Sequence, residues 1–346
     1  MSVIFQQTYP KTRLRRLRAT DWRRRLVCET KLTPADLILP IFLIEGEDRR
    51  EDIASLPGVQ RLSVDAAVAV AQEAYGLGIP AITLFPSVAP ELKSATGDEA
   101  LNPDNLICRA IRALKISVPH IGIMTDVALD PYTTHGHDGV VIGGDVANDA
   151  TVDILSRQAV ILAKAGSDIV APSDMMDGRV GAIRTALENA GHTNTLILSY
   201  AIKYASAFYG PFRDAVGSAN LLGRGSGPSN KRSYQMDPAN ADEALREAAM
   251  DVAEGADLLM VKPAGTSLDI ICRVALASSV PVVGYQVSGE YAALIAGANA
   301  GALNRIDALL ESLLVIKRAG ARAIITYGAL EVSRALILTA SAEDVA

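Results

Sequence analysis

The sequence is poor in cysteine, and this scarcity excludes several kinds of site. Only three cysteines, Cys28, Cys108 and Cys272, occur among 346 residues, and no two of them form a CxxC pair. Such wide separation argues against a disulfide framework and against a zinc site built from neighbouring cysteines. Burial as small apolar side chains explains these residues better.

Long apolar stretches are also missing. No segment approaches the roughly 20 apolar residues that a membrane-spanning helix needs. Residues 1–20 include basic side chains but no apolar segment follows them, so they do not resemble a secretory signal. We therefore expect a cytoplasmic protein that has no membrane partner.

Charge is distributed unevenly along the chain. Residues 1–33 contain nine Lys and Arg against two Asp and Glu, which gives a local charge of +7, whereas the whole chain carries −6 and the rest therefore −13. A basic arm on an acidic body favours docking onto another copy of the body. We expect no nucleic-acid partner, because the arm lacks a helix-turn-helix pattern and zinc ligands, and the body would repel phosphate.

Eight short apolar segments alternate with amphipathic helical segments between residues 37 and 340. Each is rich in β-forming residues and is bounded by turn residues, as is typical of strands buried on both faces. Several preceding helices end in a glycine stop, as in AVILAKAG, REAAMDVAEG and ESLLVIKRAG. The predicted strands are 37–46, 79–87, 120–129, 167–174, 195–203, 256–264, 281–289 and 322–328.

This alternation predicts an α/β fold, a closed (β/α)8 TIM barrel with an extended N-terminal arm. An open doubly wound sheet is the alternative, but no glycine-rich phosphate-binding fingerprint follows any strand. We place the arm at residues 1–35 and the catalytic barrel at 36–346. The glycine-rich segment at about 204–240 is too long for an ordinary connection and is predicted to be an active-site lid.

Two lysines, Lys203 and Lys262, close the fifth and sixth predicted strands. Strands that are neighbours in a barrel lie about 4.8 Å apart, so both amines should converge on one cavity. A free lysine is neutral only about once in 2,500 at pH 7, and only the neutral amine attacks a carbonyl. A second cation and an apolar wall both destabilise the ammonium form, so the pair is suited to Schiff-base formation.

Six segments, in order along nearly the whole chain, resemble the porphobilinogen synthase family: DVALDPYTTHGHDG, APSDMMDGR, SYAIKYASAFYGPFRDA, SYQMDP, MVKPA and YQVSGEY. This resemblance implies a lyase that condenses two molecules of 5-aminolevulinic acid to porphobilinogen, with loss of two waters, in tetrapyrrole biosynthesis. It also implies Schiff bases on Lys262 for the first substrate and on Lys203 for the second.

The resemblance further assigns the residues around the two substrates. Ser288 and Tyr327 would hold the carboxylate of the first substrate, within walls formed by Tyr209, Phe212 and Tyr285. The lid residues Arg213, Lys231 and Gln235 would hold the carboxylate of the second. Asp126, which would assist proton transfer, and Ser173 would lie near the amine of the second substrate. Asp130 would act through hydrogen bonds in a metal-free active site.

The chain departs from zinc-dependent family members in its metal chemistry. Where those members carry three cysteines, this sequence has Ala128, Asp130 and Asp138, and the thiolates that favour zinc are absent. We expect no catalytic zinc, although His135 and His137 remain. Aspartates could hold magnesium or a monovalent cation such as potassium weakly.

Resemblance to members with aspartates at these positions implies an activating magnesium ion away from the active site. Glu247 matches its ligand, while Asp174 and either Arg13 or Arg15 match its outer partners. The alternative is that Glu247 is an ordinary solvated helix residue.

The resemblance also implies a homo-oligomer, either an octamer or a hexamer, built from dimers that exchange their arms. Two other functions remain open from the residues alone. A class I aldolase would need one essential lysine and a phosphate site, and a binding or structural barrel would need neither a lysine pair nor a basic lid.

Overall fold

The computed structural model describes residues 8–218, 221–222 and 227–343, with side-chain surroundings as far as residue 339. Residues 1–7 of the expected arm and 219–220 and 223–226 of the expected lid lie outside the described residues. Two compact units divide the chain, Met1–Leu32 and Thr33–Ala346.

The larger unit is built around eight parallel strands that close on themselves. Leu37 and Ile38 of the first strand pair with Ile324 and Ile325 of the last, which closes the barrel and confirms the predicted fold. Each predicted segment contains one of these strands: β1 (Leu37–Leu43), β4 (Ala81–Pro86), β5 (Gly122–Val127), β8 (Ile169–Pro172), β9 (Leu196–Lys203), β10 (Leu258–Lys262), β11 (Val282–Tyr285) and β12 (Ala323–Ile325).

Four short strands lie outside the barrel wall and had no signal in the apolar pattern. They form two small antiparallel pairs, and β3 also pairs in parallel with the end of the first barrel strand, at Phe42 and Leu43. The strands are β2 (Arg50–Asp52) with β3 (Gln60–Leu62), and β6 (Val141–Ile142) with β7 (Asp145–Val146).

Helices cover the outside of the barrel and separate its strands. The α-helices of the larger unit are α2 (Val64–Gly76), α3 (Leu106–Ser117), α4 (Asn148–Ala165), α5 (Arg179–Asn189), α6 (Gly210–Ala215), α7 (Asp242–Ala253), α8 (Leu268–Ala277), α9 (Ser288–Asn299), α10 (Arg305–Ala319) and α11 (Ala329–Glu343). Short 3₁₀ helices occur at Pro34–Asp36, Pro90–Leu92, Asp98–Leu101, Ala207–Tyr209 and Gly265–Ser267.

The glycine stops predicted from the sequence lie at the ends of their helices. Gly166, Gly255 and Gly320 have φ values of +113°, +105° and +124°, a region in which only glycine avoids a steric penalty. Each is followed within three residues by a barrel strand. Helix and strand are therefore joined in the short αβ connections that a closed barrel requires.

Apolar side chains from strands and helices form a continuous core. All seven residues of β1 are buried, and Phe42, Phe85, Tyr200 and Tyr285 fill the barrel interior with almost no exposed surface. Burial on both faces explains why the strands appear as unbroken apolar segments rather than as an alternating pattern.

The smaller unit, Met1–Leu32, contains a 3₁₀ helix at Leu14–Arg18 and helix α1 (Asp21–Leu26). None of its described residues is buried. Its large apolar side chains are exposed, among them Tyr9, Leu14 and Trp22. Within the described parts of the chain, no helix combines the length and the apolar character that crossing a membrane would require.

Candidate active site

Lys203 and Lys262 are the last residues of β9 and β10, and their Cα atoms are register partners across the two strands. Both lysines are buried, at about 5% exposure. Because register partners on adjacent parallel strands point to the same side of the sheet, both amines enter the barrel mouth. The structure thus brings together the two lysines that the sequence singled out.

Four aromatic rings surround the amine of Lys262. Its Nζ lies 4.5 Å from the ring centre of Tyr285, 4.9 Å from that of Phe212, and 5.1 Å from those of Tyr200 and Tyr209. Burial, and after it the nearby charge of Lys203, lowers the pKa of Lys262 to about 7. A large fraction of this amine is therefore neutral and nucleophilic near neutral pH.

Lys203 has a different environment, because it forms an ion pair. Its Nζ lies 3.1 Å from Asp138 Oδ1 and also donates to the Ser173 carbonyl oxygen. Asp138 also pairs through Oδ2 with Lys231 of the lid, at 2.5 Å, and Lys231 lies 3.4 Å from Asp130. One carboxylate therefore holds a barrel lysine and a lid lysine together.

Charge keeps Asp138 ionised although it is buried. Burial disfavours its anion, but the ammonium groups of Lys203 and Lys231 outweigh burial and hold the pKa of Asp138 well below its usual range. In the same way, burial opposes the charge of Lys231, but Asp130 and Asp138 raise its pKa.

Asp126 has the opposite character. Burial, with the nearby charge of Asp130, raises the pKa of Asp126 to about 7, although Lys203 and Lys262 oppose the shift. Its Oδ1 is shielded from solvent and has no hydrogen-bond partner among the described residues. A carboxyl group that titrates near neutral pH can donate and accept protons during turnover.

The described part of the lid folds over the strand ends. Gly289 at the start of α9 allows close approach, because a Cβ there would lie 2.5 Å from the Phe208 carbonyl oxygen. Phe212 N donates to Ser288 Oγ at 2.9 Å, and the hydroxyls of Tyr285 and Tyr327 lie 3.0 Å apart. Ser288 and Tyr327 thus lie on the side of the site that carries the aromatic rings.

A single cavity of about 20 Å³ is lined by most of the predicted site residues. This volume holds about one water molecule. The lining residues are Asp126, Asp130, Asp138, Ser173, Lys203, Tyr209, Phe212, Arg213, Lys231, Gln235 and Lys262.

Both histidines of HGHDG form hydrogen bonds with other described residues. His135 Nε2 bonds to the Ala95 carbonyl, and the His137 ring bonds to Pro228 O and to the Tyr234 hydroxyl. Over residues 8–218, 221–222 and 227–343, no group of three or more His, Cys, Asp or Glu side chains is arranged to hold a metal ion.

Glu247 lies elsewhere, in a surface groove of about 460 Å³. The groove also presents the carboxylates of Asp145, Asp177, Asp237 and Glu243. Asp174 is not among its lining residues; it is fully buried, 3.6 Å from Arg179 Nε.

Part of the site is not evident from the sequence. Asp138 stands out there only as a replaced cysteine position, and neither Tyr234 nor the ring of His137 has an expected role. The motifs HGHDG and SYQMDP contain all three residues, but their contact joins positions about 96 residues apart, which a single sequence does not display.

The chain is similar to known proteins over nearly its whole length. The family profile described as "Delta-aminolevulinic acid dehydratase" matches residues 11–335. A delta-aminolevulinic acid dehydratase of Bradyrhizobium diazoefficiens is 55% identical over 315 residues, which is 91% of this chain and 88% of the relative. One from Rhodobacter capsulatus is 49% identical over 319 residues, covering 92% and 95% of the two chains.

Among solved structures, the delta-aminolevulinic acid dehydratase (porphobilinogen synthase) of Toxoplasma gondii superposes with a TM-score of 0.90. It is 48% identical, and the match covers 93% of this chain and 91% of that one. That structure was obtained in complex with the reaction product porphobilinogen.

Proposed function

This chain belongs to the delta-aminolevulinic acid dehydratase family, and we propose that it carries out the family's reaction through imines on Lys262 and Lys203. The activity is that of a lyase in tetrapyrrole biosynthesis, which condenses two molecules of 5-aminolevulinic acid to porphobilinogen with loss of two waters. The observation that carries the residue assignment is the register pairing of two buried lysines at adjacent strand ends.

Lys262 is assigned to the first substrate because much of its amine is already neutral near neutral pH. With a pKa of about 7, about half of it is neutral at pH 7. The rings of Tyr200, Tyr209, Phe212 and Tyr285 then face the cation that a protonated imine carries, and aromatic faces attract such cations.

The carboxylate of the first substrate is assigned to Ser288 and Tyr327. Their hydroxyls lie at the aromatic side of the site, and Ser288 is the first residue of α9. The N-terminus of a helix attracts anions through its free backbone N–H groups and its dipole. Tyr209, Phe212 and Tyr285 form the walls beside it.

Lys203 is assigned to the second substrate, whose carboxylate is held by Arg213, Lys231 and Gln235. Lys203 and Lys231 both bond to Asp138 and must leave it to bind this molecule. Each ketone oxygen is expelled as water when an imine forms. Each imine carbon then forms one new bond to the other substrate, a C–C bond in one case and a C–N bond in the other. Its bond to the lysine nitrogen breaks, and both lysines return as free amines.

Asp126 is the group best placed to move protons, because its pKa of about 7 lies near the working pH. Ser173 and Asp130 line the same cavity, and the Ser173 carbonyl oxygen accepts from the amine of Lys203. We assign Ser173 to the amine of the second substrate, and Asp130 to substrate binding through hydrogen bonds.

No catalytic zinc is proposed, since Asp130 and Asp138 are already matched by lysine ammonium groups and Ala128 offers no ligand atom. Magnesium at Glu247 is proposed as an activating ion, and a monovalent cation is a further candidate cofactor. The acidic groove fits a hydrated magnesium ion, which keeps several waters and uses only one or two carboxylates.

A homo-oligomer, octamer or hexamer, is proposed from the character of the arm. Tyr9, Leu14 and Trp22 are 74%, 69% and 56% exposed, which is a large apolar surface for a segment of charge +7. Packing against the acidic body of another copy would cover it. A cytoplasmic location is proposed because Cys28, Cys108 and Cys272 are all free thiols.

The product assay tests this function directly. Purified protein supplied with 5-aminolevulinic acid should form a pyrrole that an aldehyde colour reagent detects. The Lys262→Ala variant should form almost none, whereas Lys164→Ala, at an exposed position on α4, should behave as wild type. Absence of pyrrole with the wild-type protein would refute the proposal.

A further inference from the structure

His137 contacts the second half of the lid, residues 227–234. Its Nε2 lies 2.9 Å from the carbonyl oxygen of Pro228, and its Nδ1 lies 3.0 Å from the Tyr234 hydroxyl. Gly227 packs directly against the ring, because a Cβ there would lie 3.1 Å from His137 Cδ2. Three lid residues therefore contact one imidazole.

Tyr234 links this contact to the reaction site. Its hydroxyl lies 2.9 Å from Asp138 Oδ2 as well as 3.0 Å from His137 Nδ1. The Pro228 carbonyl can only accept, so the Nε2 that bonds to it carries a proton. On a neutral ring, Nδ1 is then an acceptor. The single hydroxyl proton of Tyr234 thus has two acceptors between which it can turn.

Asp138 needs such a donor when the lysines leave. In the structure its oxygens bond to Lys203, Lys231 and Tyr234. Once Lys203 forms an imine and Lys231 binds a carboxylate, two of these three partners are lost. A buried carboxylate without partners is costly, so any donor that remains lowers the cost of releasing both lysines.

We propose that Tyr234 and His137 are positioning residues for the second substrate: Tyr234 stays bonded to Asp138 while Lys203 and Lys231 move to the substrate, and His137 donates from Nε2 to the Pro228 carbonyl and so holds the lid segment that carries Tyr234. This inference rests on the proposed function, since it takes Lys203 and Lys231 as ligands of the second substrate. Tyr234 acts through Asp138, and His137 acts through the lid segment.

Lys262 lies outside this network. It is surrounded by aromatic rings rather than by Asp138, and neither Tyr234 nor His137 contributes to that ring set. Loss of the Tyr234 hydroxyl should therefore impair the imine on Lys203 and spare the imine on Lys262. A residue with a merely structural role would affect both.

The test compares Tyr234→Phe with Tyr204→Phe in the full-length protein. Tyr204 is a matched control, because its hydroxyl donates to the Asn240 carbonyl of the lid at 2.9 Å and does not contact Asp138. Each protein is mixed with 5-aminolevulinic acid, reduced with borohydride within a single turnover, and digested for peptide mapping. Steady-state kcat and KM are measured alongside.

Tyr234→Phe should label Lys262 as wild type does, but label Lys203 about ten- to a hundredfold more slowly, the usual effect of losing a hydrogen bond to a charged group. Its KM should rise and kcat fall, while Tyr204→Phe keeps the wild-type pattern.

Two results would overturn the inference. In one, Tyr234→Phe labels Lys203 at the wild-type rate. In the other, both lysines lose labelling equally, which indicates a general defect of folding. Failure of the wild-type protein to label either lysine would instead refute the proposed function, so the two failures are distinguishable.

Discussion

Lys203 and Lys262 face each other as Cα partners across β9 and β10, yet their amines have different environments. Lys203 is paired with the Asp138 carboxylate at 3.1 Å, whereas Lys262 lies among aromatic rings 4.5–5.1 Å away. The two lysines therefore have distinct roles. The amine of Lys262 is ready to attack a carbonyl, whereas the amine of Lys203 must first leave the Asp138 carboxylate.

The pH dependence of imine formation at Lys262 should show the effect of the charge on Lys203. Because its pKa is about 7, imine formation at Lys262 should rise as pH increases through about 7 and level off above it. The charge of Lys203 helps to lower this pKa, so Lys203→Ala should raise it and move the rise to higher pH. Borohydride trapping at Lys262 across a pH series measures this, with Lys164→Ala as control. A shift to lower pH, or none, would contradict the mutual activation of the lysines.

Arg213→Ala tests the lid cations. Arg213 lines the cavity beside Lys231 and is assigned to the carboxylate of the second substrate. Losing it should raise KM by about ten- to a hundredfold and also lower kcat, because the contact orients the substrate as well as binding it. Arg232→Ala is a matched control, an exposed lid arginine that does not line the cavity. Wild-type kinetics for Arg213→Ala would make it a surface residue only.

The proposals for zinc and for magnesium predict different effects on activity. Tight zinc chelators should leave activity intact, since lysines already neutralise Asp130 and Asp138. Glu247→Ala should abolish any stimulation by magnesium while basal turnover persists, because Glu247 lies in a groove apart from the lysines. Activity assays with added ions and elemental analysis check both. Stoichiometric zinc that tracks activity would contradict the first statement.

Deletion of residues 1–33 tests the role of the arm. Without the exposed apolar side chains of Tyr9, Leu14 and Trp22, subunits should lose contact area, and particles should be smaller and much less active. Light scattering gives the particle mass, and the pyrrole assay gives the activity. A truncated chain that forms a full-sized, active assembly would rule out an arm-mediated oligomer.

Much of the fold is encoded in local patterns. The barrel strands are buried on both faces and therefore appear as apolar segments, and Gly166 and Gly320 end their helices at positive φ. The small pairs β2–β3 and β6–β7 could not be predicted, because strands of two or three residues are too short to show an apolar period.

The site was predictable where it depends on strand ends and unpredictable where it depends on the lid. The positions of Lys203 and Lys262 could be predicted because these lysines are the last residues of β9 and β10. The contact of Asp138 with Lys231 and Tyr234 depends on how a glycine-rich segment returns to the barrel. Such a segment has no periodicity from which its path could be inferred.

Single-turnover trapping decides whether the two lysines carry the two substrates. Wild-type protein is mixed with 5-aminolevulinic acid, reduced with borohydride and digested, and the modified peptides are identified by mass. Label should appear on Lys262 first and on Lys203 as the second substrate binds, and either lysine-to-alanine variant should show almost no turnover. Substantial turnover in Lys262→Ala, or label on neither lysine in the wild type, would contradict this assignment.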